Sequence, residues 1–237
     1  METAKILVVD DDSAVRTLLV RFLSRQGYQV EAAIDGSSAL AQFERFSPDL
    51  LILDVNLPDT NGYQLCEIVQ KRTGVYVILL TSRDDEADIL TGFAKGADDY
   101  ITKPFSLMSV GARIAAILRR QRHIETASQP ALHYEQLQID PARREVSFAG
   151  QPILLTALEF DLLHFLATHP DRVWRRNELI QEVWEYDYVG DQRVVDVHIG
   201  QIRKKLEVNP ELACPIQTVR GVGYKFESTG MSLSRLA

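Results

Sequence analysis

With 237 residues and 46% hydrophobic side chains, the chain is too long for one average domain and apolar enough for two cores, so two domains are expected. A net charge of −7 excludes a protein that coats nucleic acid indiscriminately, and no run of about 20 apolar residues marks a membrane span. METAKILVVD has no signal-peptide layout, and Cys66 and Cys214 have no CxxC spacing, which together point to a cytoplasmic protein with neither disulfide nor zinc site.

The first half alternates short apolar runs with helical periodicity. KILVVD reads as a strand, followed by a helix from about Ser13 in which Val15, Leu18, Leu19, Phe22 and Leu23 form one apolar stripe. Ser13 is placed to cap that helix, and Gly27 follows its end. YQVEAA, DLLILD, VYVILL and DYIT continue as strands, each followed by a helix, the last reaching about Arg120. This alternation implies a parallel sheet covered on both faces; DLLILD and VYVILL are apolar throughout, as doubly buried strands are. Residues 1–120 therefore read as one α/β domain.

Residues 121–130 (QRHIETASQP) lose periodicity and read as a linker. LHYEQLQID and REVSFAGQPILL then read as short strands with turns at DPAR and AGQ. TALEFDLLHFLATH, RRNELIQEVW and DQRVVDVHIGQIRKKLE read as three helices, and IQTVR-GVG-YKFE as a closing hairpin. The result is an α+β domain over residues 131–228, followed by a disordered tail at 229–237.

Chemistry gathers where the strands of the first domain run out. Asp10 and Asp11 follow the first strand, Asp54 ends the third, Thr81 the fourth, and Lys103 follows the fifth. Ligands of an open parallel sheet bind at the carboxyl edge of its strands, so these groups converge. They suit a hard cation, a phosphoryl group carried on Asp54, and a lysine that holds phosphoryl oxygens. Mg²⁺ takes oxygen ligands in octahedral geometry; Asp10 or Asp11, Asp54 and the main-chain carbonyl of Asn56 would supply the protein share. Each residue alone has a plainer reading as a solvated acid, a surface lysine or a capping threonine. Their joint appearance at four strand ends outweighs it, while Asp12 reads as a solvated acid outside the set.

In the second half, Val195, Ile199, Ile202 and Leu206 form a narrow core-facing stripe. The opposite face carries Arg193, Val197, Gly200 and Lys204, with Asp196 and Gln201 at its margins and Arg203 and Lys205 flanking. Such a helix suits a major groove, where Arg193 and Val197 could read a guanine edge and a thymine methyl. Arg220 at the hairpin tip, flanked by Thr218, would reach phosphate or minor groove. Gly200 is a mid-helix glycine, which costs about 1 kcal/mol. Glu178, Glu182, Glu185, Asp187 and Asp191 form an acidic stretch without a base, read equally well as a solvated loop. The five histidines show no metal spacing, and His198 reads as packed.

VVDDDS, LDVNLP, LLTS and DDYITKPF resemble the receiver domain of bacterial two-component response regulators. The second half resembles the winged-helix effector of the OmpR/PhoB subfamily, with TVRGVGYKF as its most specific string. The resemblance spans about residues 4–227. It implies a flavodoxin-like five-stranded sheet of order 2-1-3-4-5 and a C-terminal winged helix-turn-helix domain. It also implies a sensor histidine kinase that donates phosphate to Asp54, with Asp10 and Asp11 as the metal pair, Thr81 and Tyr100 as the switch couple, and Lys103 as the phosphoryl clamp. A cis peptide before Pro104 belongs to the same pattern.

The same resemblance implies homodimerisation on phosphorylation, with Asp99 pairing Arg113 and Asp98 pairing Arg120 across protomers; Ile89 and Ser109 depart from a third pair. It implies double-stranded promoter DNA as the ligand of Arg193, Val197, Gln201, Arg203, Lys204, Thr218 and Arg220, and RNA polymerase as the partner of the acidic stretch. Asn56 and Arg83 stand where receivers tune the acyl-phosphate lifetime, and Gly200 replaces a residue that is often basic or bulky. Two rivals remain: a phosphohydrolase of the aspartyl-phosphate class and an adaptor that has lost DNA binding. Such hydrolases place a second aspartate two positions after the nucleophile; Asn56 stands there, so no enzyme is expected.

Overall fold

The computed structural model describes residues 3–72, 74–82, 86–126, 130–134, 136–184, 192–207 and 212–228, leaving aside the side chains of residues 86, 87 and 120–126. The chain divides into two compact units, Met1–Leu118 and Arg119–Ala237. Arg83, the side chain of Arg120, the loop at 185–191 and the tail at 229–237, all named above, lie outside the described residues.

The first unit is a parallel five-stranded sheet of order β2-β1-β3-β4-β5. Its strands are β1 (Lys5–Val9), β2 (Gln29–Ala33), β3 (Leu50–Asp54), β4 (Tyr76–Thr81) and β5 (Asp99–Thr102). Helices α1 (Ser13–Arg25), α2 (Gly36–Phe46), α3 (Gly62–Gln70), α4 (Glu86–Ala94) and α5 (Leu107–Thr126) alternate with them. Because side chains alternate along a strand, Leu7, Val9, Leu51, Leu53, Val77 and Leu79 share one face, where they meet Ala39 and Phe43 of α2 and Leu65, Cys66 and Val69 of α3. The intervening Ile6, Val8, Ile52, Ile78 and Leu80 are buried on the other face. β3 and β4 are buried along their whole length, as their continuous apolar runs require.

Three local details differ from the sequence reading. Asp12, not Ser13, caps α1: its carboxylate accepts from the N–H groups of Ala14 (2.7 Å) and Val15 (3.4 Å). An extended Asp12 backbone turns the carboxylate toward the first helical turn, where unpaired N–H groups and the helix dipole favour an anion. Leu18 is 47% exposed, so the buried stripe of α1 narrows to Leu19 and Leu23. Finally, α5 continues to Thr126, through residues expected in the linker. Glutamine, arginine and glutamate there are good helix formers, and no glycine or proline intervenes before Pro130.

The second unit opens with an antiparallel sheet of β6 (Leu132–His133), β7 (Leu137–Asp140), β8 (Glu145–Phe148) and β9 (Gln151–Ile153). The run LHYEQLQID is thus two strands, and the Tyr134 N–H donates to the Leu137 carbonyl (2.8 Å). There follow α6 (Ala157–Thr168), β10 (Val173–Arg175), α7 (Arg176–Leu179), a π-helical turn Ile180–Trp184, α8 (Arg193–Leu206), and the hairpin of β11 (Ile216–Val219) and β12 (Gly223–Phe226). β10 joins the hairpin in the order β10-β12-β11. It is a third wing strand that the sequence reading omits, because three residues are too few to display a period of two.

α6 is buried on almost every side and forms the centre of this unit. A capping box starts it: the Glu159 N–H donates to Thr156 Oγ1 (3.3 Å), and the Thr156 N–H donates to the Glu159 carboxylate (2.8 Å). α8 lays Val194, Val195, His198, Ile199, Ile202 and Leu206 into the same core. Replacing the fully buried Ile202 by alanine is expected to lower the unfolding free energy of the second unit by about 2–5 kcal/mol, read from the urea midpoint.

Candidate functional site

Parallel pairing draws the strand ends of the first unit together. Val9 aligns with Leu53, Asp54 with Leu80, and Thr81 with Thr102, so the residues at or just beyond these ends share one edge. There the Lys103 ammonium donates to Asp10 Oδ2 (2.6 Å) and Asp54 Oδ2 (2.9 Å). Asp10, Asp54 and Thr81 are buried, whereas Asp11 is exposed. The Lys103–Pro104 peptide is cis, and the Lys103 N–H donates to the Thr81 carbonyl (2.7 Å), which fastens the lysine's own backbone to the neighbouring strand.

Each carboxylate is oriented by the chain around it. Asp10 Oδ1 accepts from the Asp12 N–H (2.9 Å), and Asp54 Oδ1 from the Asn56 N–H (3.2 Å). α3 begins tight against the Asp54 strand end: a Cβ at Gly62 would collide with the Asp54 carbonyl oxygen, so this position needs glycine. Asn61 caps α3 through the Tyr63 N–H (2.8 Å). Carboxylate oxygens of Asp10, Asp11 and Asp54 lie within 4.8 Å of one another.

Two supporting residues escape the sequence reading. Arg16 donates to the Asp10 carbonyl (2.7 Å). Asp59 binds the start of α2, accepting from the N–H of Gly36 (2.8 Å) and from the N–H (3.0 Å) and hydroxyl (2.8 Å) of Ser37. The Gly36 N–H, helped by Ser37, holds the exposed Asp59 carboxyl below its usual range. Neither residue has a sequence signal of its own, because each acts across elements that only the fold brings together.

In the second unit, α8 presents Arg193, Gly200 and Lys204 to solvent, with Val197 and Gln201 half-buried. Arg220 is exposed at the hairpin turn and Thr218 beside it on β11. Arg203 turns toward the hairpin instead: its guanidinium donates to the Ile216 carbonyl (3.2 and 3.0 Å) and to Thr218 Oγ1 (2.8 Å). Asp196 accepts from Arg176 Nε (2.7 Å) and the Tyr224 hydroxyl (2.6 Å), a second tie between α8 and the hairpin. Lys205 reaches back to Glu159 of the capping box (2.5 Å). His198 is wholly buried, and burial pulls its pKa down to about 3, so it stays neutral.

The model of the response regulator receiver domain matches residues 6–115, and that of the transcriptional regulatory protein C-terminal domain matches residues 150–226. The transcriptional regulatory protein ResD of Bacillus subtilis is 41% identical over 229 residues, covering 94% of this chain and 95% of that protein. The chain is a two-component response regulator of the OmpR/PhoB type. Among solved structures, a mutant of RitR superposes with a TM-score of 0.81 at 29% identity, covering 95% of this chain and 99% of that one. DrrB, an OmpR/PhoB homologue from Thermotoga maritima, gives 0.51 at 34% identity, with 95% and 100% covered.

As a response regulator, the chain thus comprises a receiver with the expected strand order and a winged-helix effector. Within the receiver, Tyr100 is half-buried with its ring edge-on to Phe93 (centroids 5.7 Å apart). Tyr100 and Thr81 both line a small apolar cavity, together with Val55, Leu79, Ile89 and Phe93. Arg113 donates to both Asp99 oxygens (3.0 and 2.8 Å) within one chain, and buried Asp98 accepts from the Val77 N–H (2.7 Å). No helix of the described residues is long and apolar enough to cross a membrane.

The pocket's donor set fits Mg²⁺: two buried carboxylates and one exposed one sit together, and all are hard oxygen ligands. Burial raises the Asp10 pKa despite the hydrogen bonds from Lys103 and Asp12. Burial alone would lower that of Lys103, but its two carboxylate partners outweigh burial and move it up. Because Asp10 binds its proton more tightly folded than unfolded, the metal-free receiver loses stability as pH rises from 3.8 through the raised folded value. Asp10→Asn is expected to remove that decline and raise metal-free stability at neutral pH. Mg²⁺ at about 100 times its dissociation constant should add about 2.7 kcal/mol to the wild-type receiver and less to the variant, which keeps only Asp11 and Asp54 of the three carboxylates. Urea unfolding with and without Mg²⁺ checks both.

Proposed function

We propose that this regulator takes phosphate onto Asp54 from a sensor histidine kinase, and that the modified receiver favours a homodimer that binds tandem promoter half-sites. The observation that carries this reading is the Lys103 ammonium shared between Asp10 and Asp54 at the sheet edge. An Asp54 oxygen attacks the phosphorus of the kinase's phosphohistidine in line; as the O–P bond forms the P–N bond breaks, the imidazole leaves with its electron pair, and negative charge builds on the transferring oxygens. Lys103 then exchanges its Asp54 contact for a phosphoryl oxygen while Asp10 keeps hold of it. Mg²⁺, held by Asp10, Asp11, Asp54 and the Asn56 carbonyl, would neutralise phosphoryl charge. Asn56 offers no carboxylate to activate water; its amide donates to Ser82 Oγ (3.4 Å), which supports holding the phosphoryl group over hydrolysing it.

The Thr81 hydroxyl then donates to another phosphoryl oxygen, and Tyr100 turns further into the apolar cavity that both residues line. Closing that space alters the surface of α4, β5 and α5, the proposed dimer face. A differential stability of a few kcal/mol between the two receiver states shifts occupancy substantially. Arg113 already holds the buried Asp99 within the chain, so pairing across protomers would exchange one partner for another instead of adding a contact. Arg120 would pair with Asp98 in the same way, and Ile89 adds apolar area.

Paired receivers bring two effectors to half-sites about one helical turn apart, so that linked contacts raise affinity. Arg193, Val197 and Gln201 are proposed to read base edges, and Lys204 and Arg220 to hold phosphates. Arg203 and Thr218, bonded to each other, are proposed to set the wing against α8. The acidic stretch before α8 is the proposed contact for RNA polymerase, and the cytoplasm the proposed compartment. In this reading the receiver covers residues 1–120 and the effector 131–228.

Asp54→Ala is expected to abolish acyl-phosphate labelling by a small phosphodonor with Mg²⁺, measured by intact-protein mass spectrometry. It should equally abolish the gain in promoter affinity on phosphorylation; labelling that persists at wild-type level would overturn the assignment. In genomic-fragment capture, Arg193→Ala combined with Lys204→Ala should lose the sites enriched by the wild type.

A further inference from the structure

Gly200 occupies the middle of α8, seven residues from the start of the helix and six from its end. Its backbone is helical and it is exposed, and a Cβ built there meets no atom within 4 Å. Glycine is the poorest helix former after proline, and neither close packing nor a positive φ explains it here. Every other residue of this helix either enters the core, ties α8 to its neighbours, or stands on the outer face. Gly200 lies on that face, three residues after Val197 and four before Lys204. The fold would be better served by alanine.

We propose that Gly200 is a specificity-determining position, at which the bare helix backbone closes on the edge of a base pair in the major groove. This rests on the reading of α8 as the recognition helix. A residue of ordinary size at an outward helical position holds the helix axis away from the groove floor by the length of its side chain. Without that spacer, α8 can settle deeper between the strands, and the half-buried side chains on either side, Val197 and Gln201, come within reach of base edges. The space above the Gly200 Cα then suits a thymine methyl, the bulkiest apolar group that the major groove presents. The lost helix propensity is thereby offset by contact that exists only in the complex, a trade of stability for function.

Two measurements on the full chain test this. Thermal unfolding of Gly200→Ala should move the effector transition up by about 4–8 °C; a downward shift would show that the glycine serves the fold and would overturn the proposal. In parallel, wild-type protein, treated with a small phosphodonor and Mg²⁺, selects duplexes from a random library. If it selects none, the DNA-binding reading itself fails and the proposal falls with it. If it selects a sequence, Gly200→Ala should bind that sequence about tenfold more weakly, a loss of about 1.4 kcal/mol, and should select a different base at one step of each half-site. Lys204→Ala, by contrast, should weaken all sequences alike and reduce the salt dependence. Unaltered affinity and unaltered base preference in Gly200→Ala would overturn the proposal while leaving DNA binding intact.

Discussion

The receiver depends on one ammonium held between two buried carboxylates. Without Lys103, Asp10 and Asp54 would face each other across a poorly solvated edge with nothing to offset their charge. Much of the surrounding structure serves that arrangement. The parallel register delivers the strand ends together, Gly62 lets α3 start against the Asp54 carbonyl, and the Thr81 carbonyl fixes the backbone of the lysine. Even so, burial keeps the Asp10 carboxyl above its ordinary pKa, so Lys103 does not fully offset the cost of burying that charge.

The effector distributes its charges in a different way. Arg203, Asp196 and Lys205 belong to the basic helix α8, but each is spent on internal bonds to β11, to Tyr224 and Arg176, and to the α6 capping box. Arg176 and Arg203 also lie over the Tyr224 ring, 5.3 and 5.6 Å from its centroid, adding a cation–π contribution to the same junction. The hairpin and α8 are thus braced against each other by several partly buried polar contacts. A basic helix in sequence therefore need not offer all of its bases to a ligand.

How legible this was in the sequence follows the range of each interaction. The alternation of strand and helix, the gathering of Asp10, Asp54, Thr81 and Lys103, and the buried stripe of α8 follow from periodicity and strand-end position, which are local signals, whereas the strand order was implied by family resemblance alone. Where the outcome turned on competition between local partners, the reading missed: Asp12 outcompeted Ser13 as the cap of α1, and α5 ran on through residues whose polarity suggested a linker. Where it turned on contacts between distant segments, no signal existed in advance. β10 is defined by pairing with β12, Asp59 by meeting the start of α2, and Arg203 by the carbonyl of Ile216. Asp99 and Arg113 are an intermediate case, recognised as a pair by resemblance but bonded here within a single chain.

The division of labour along α8 has a consequence for descent. Residues that brace the helix are held by partners on other elements, and a change at Arg203 or Asp196 disturbs two segments at once. Positions such as Gly200 and Lys204 stand in solvent, where a substitution leaves the scaffold as it was. After gene duplication, a copy could therefore acquire a new set of target genes through a few outward replacements, each tolerated singly, while its fold and its receiver pocket pass on unaltered.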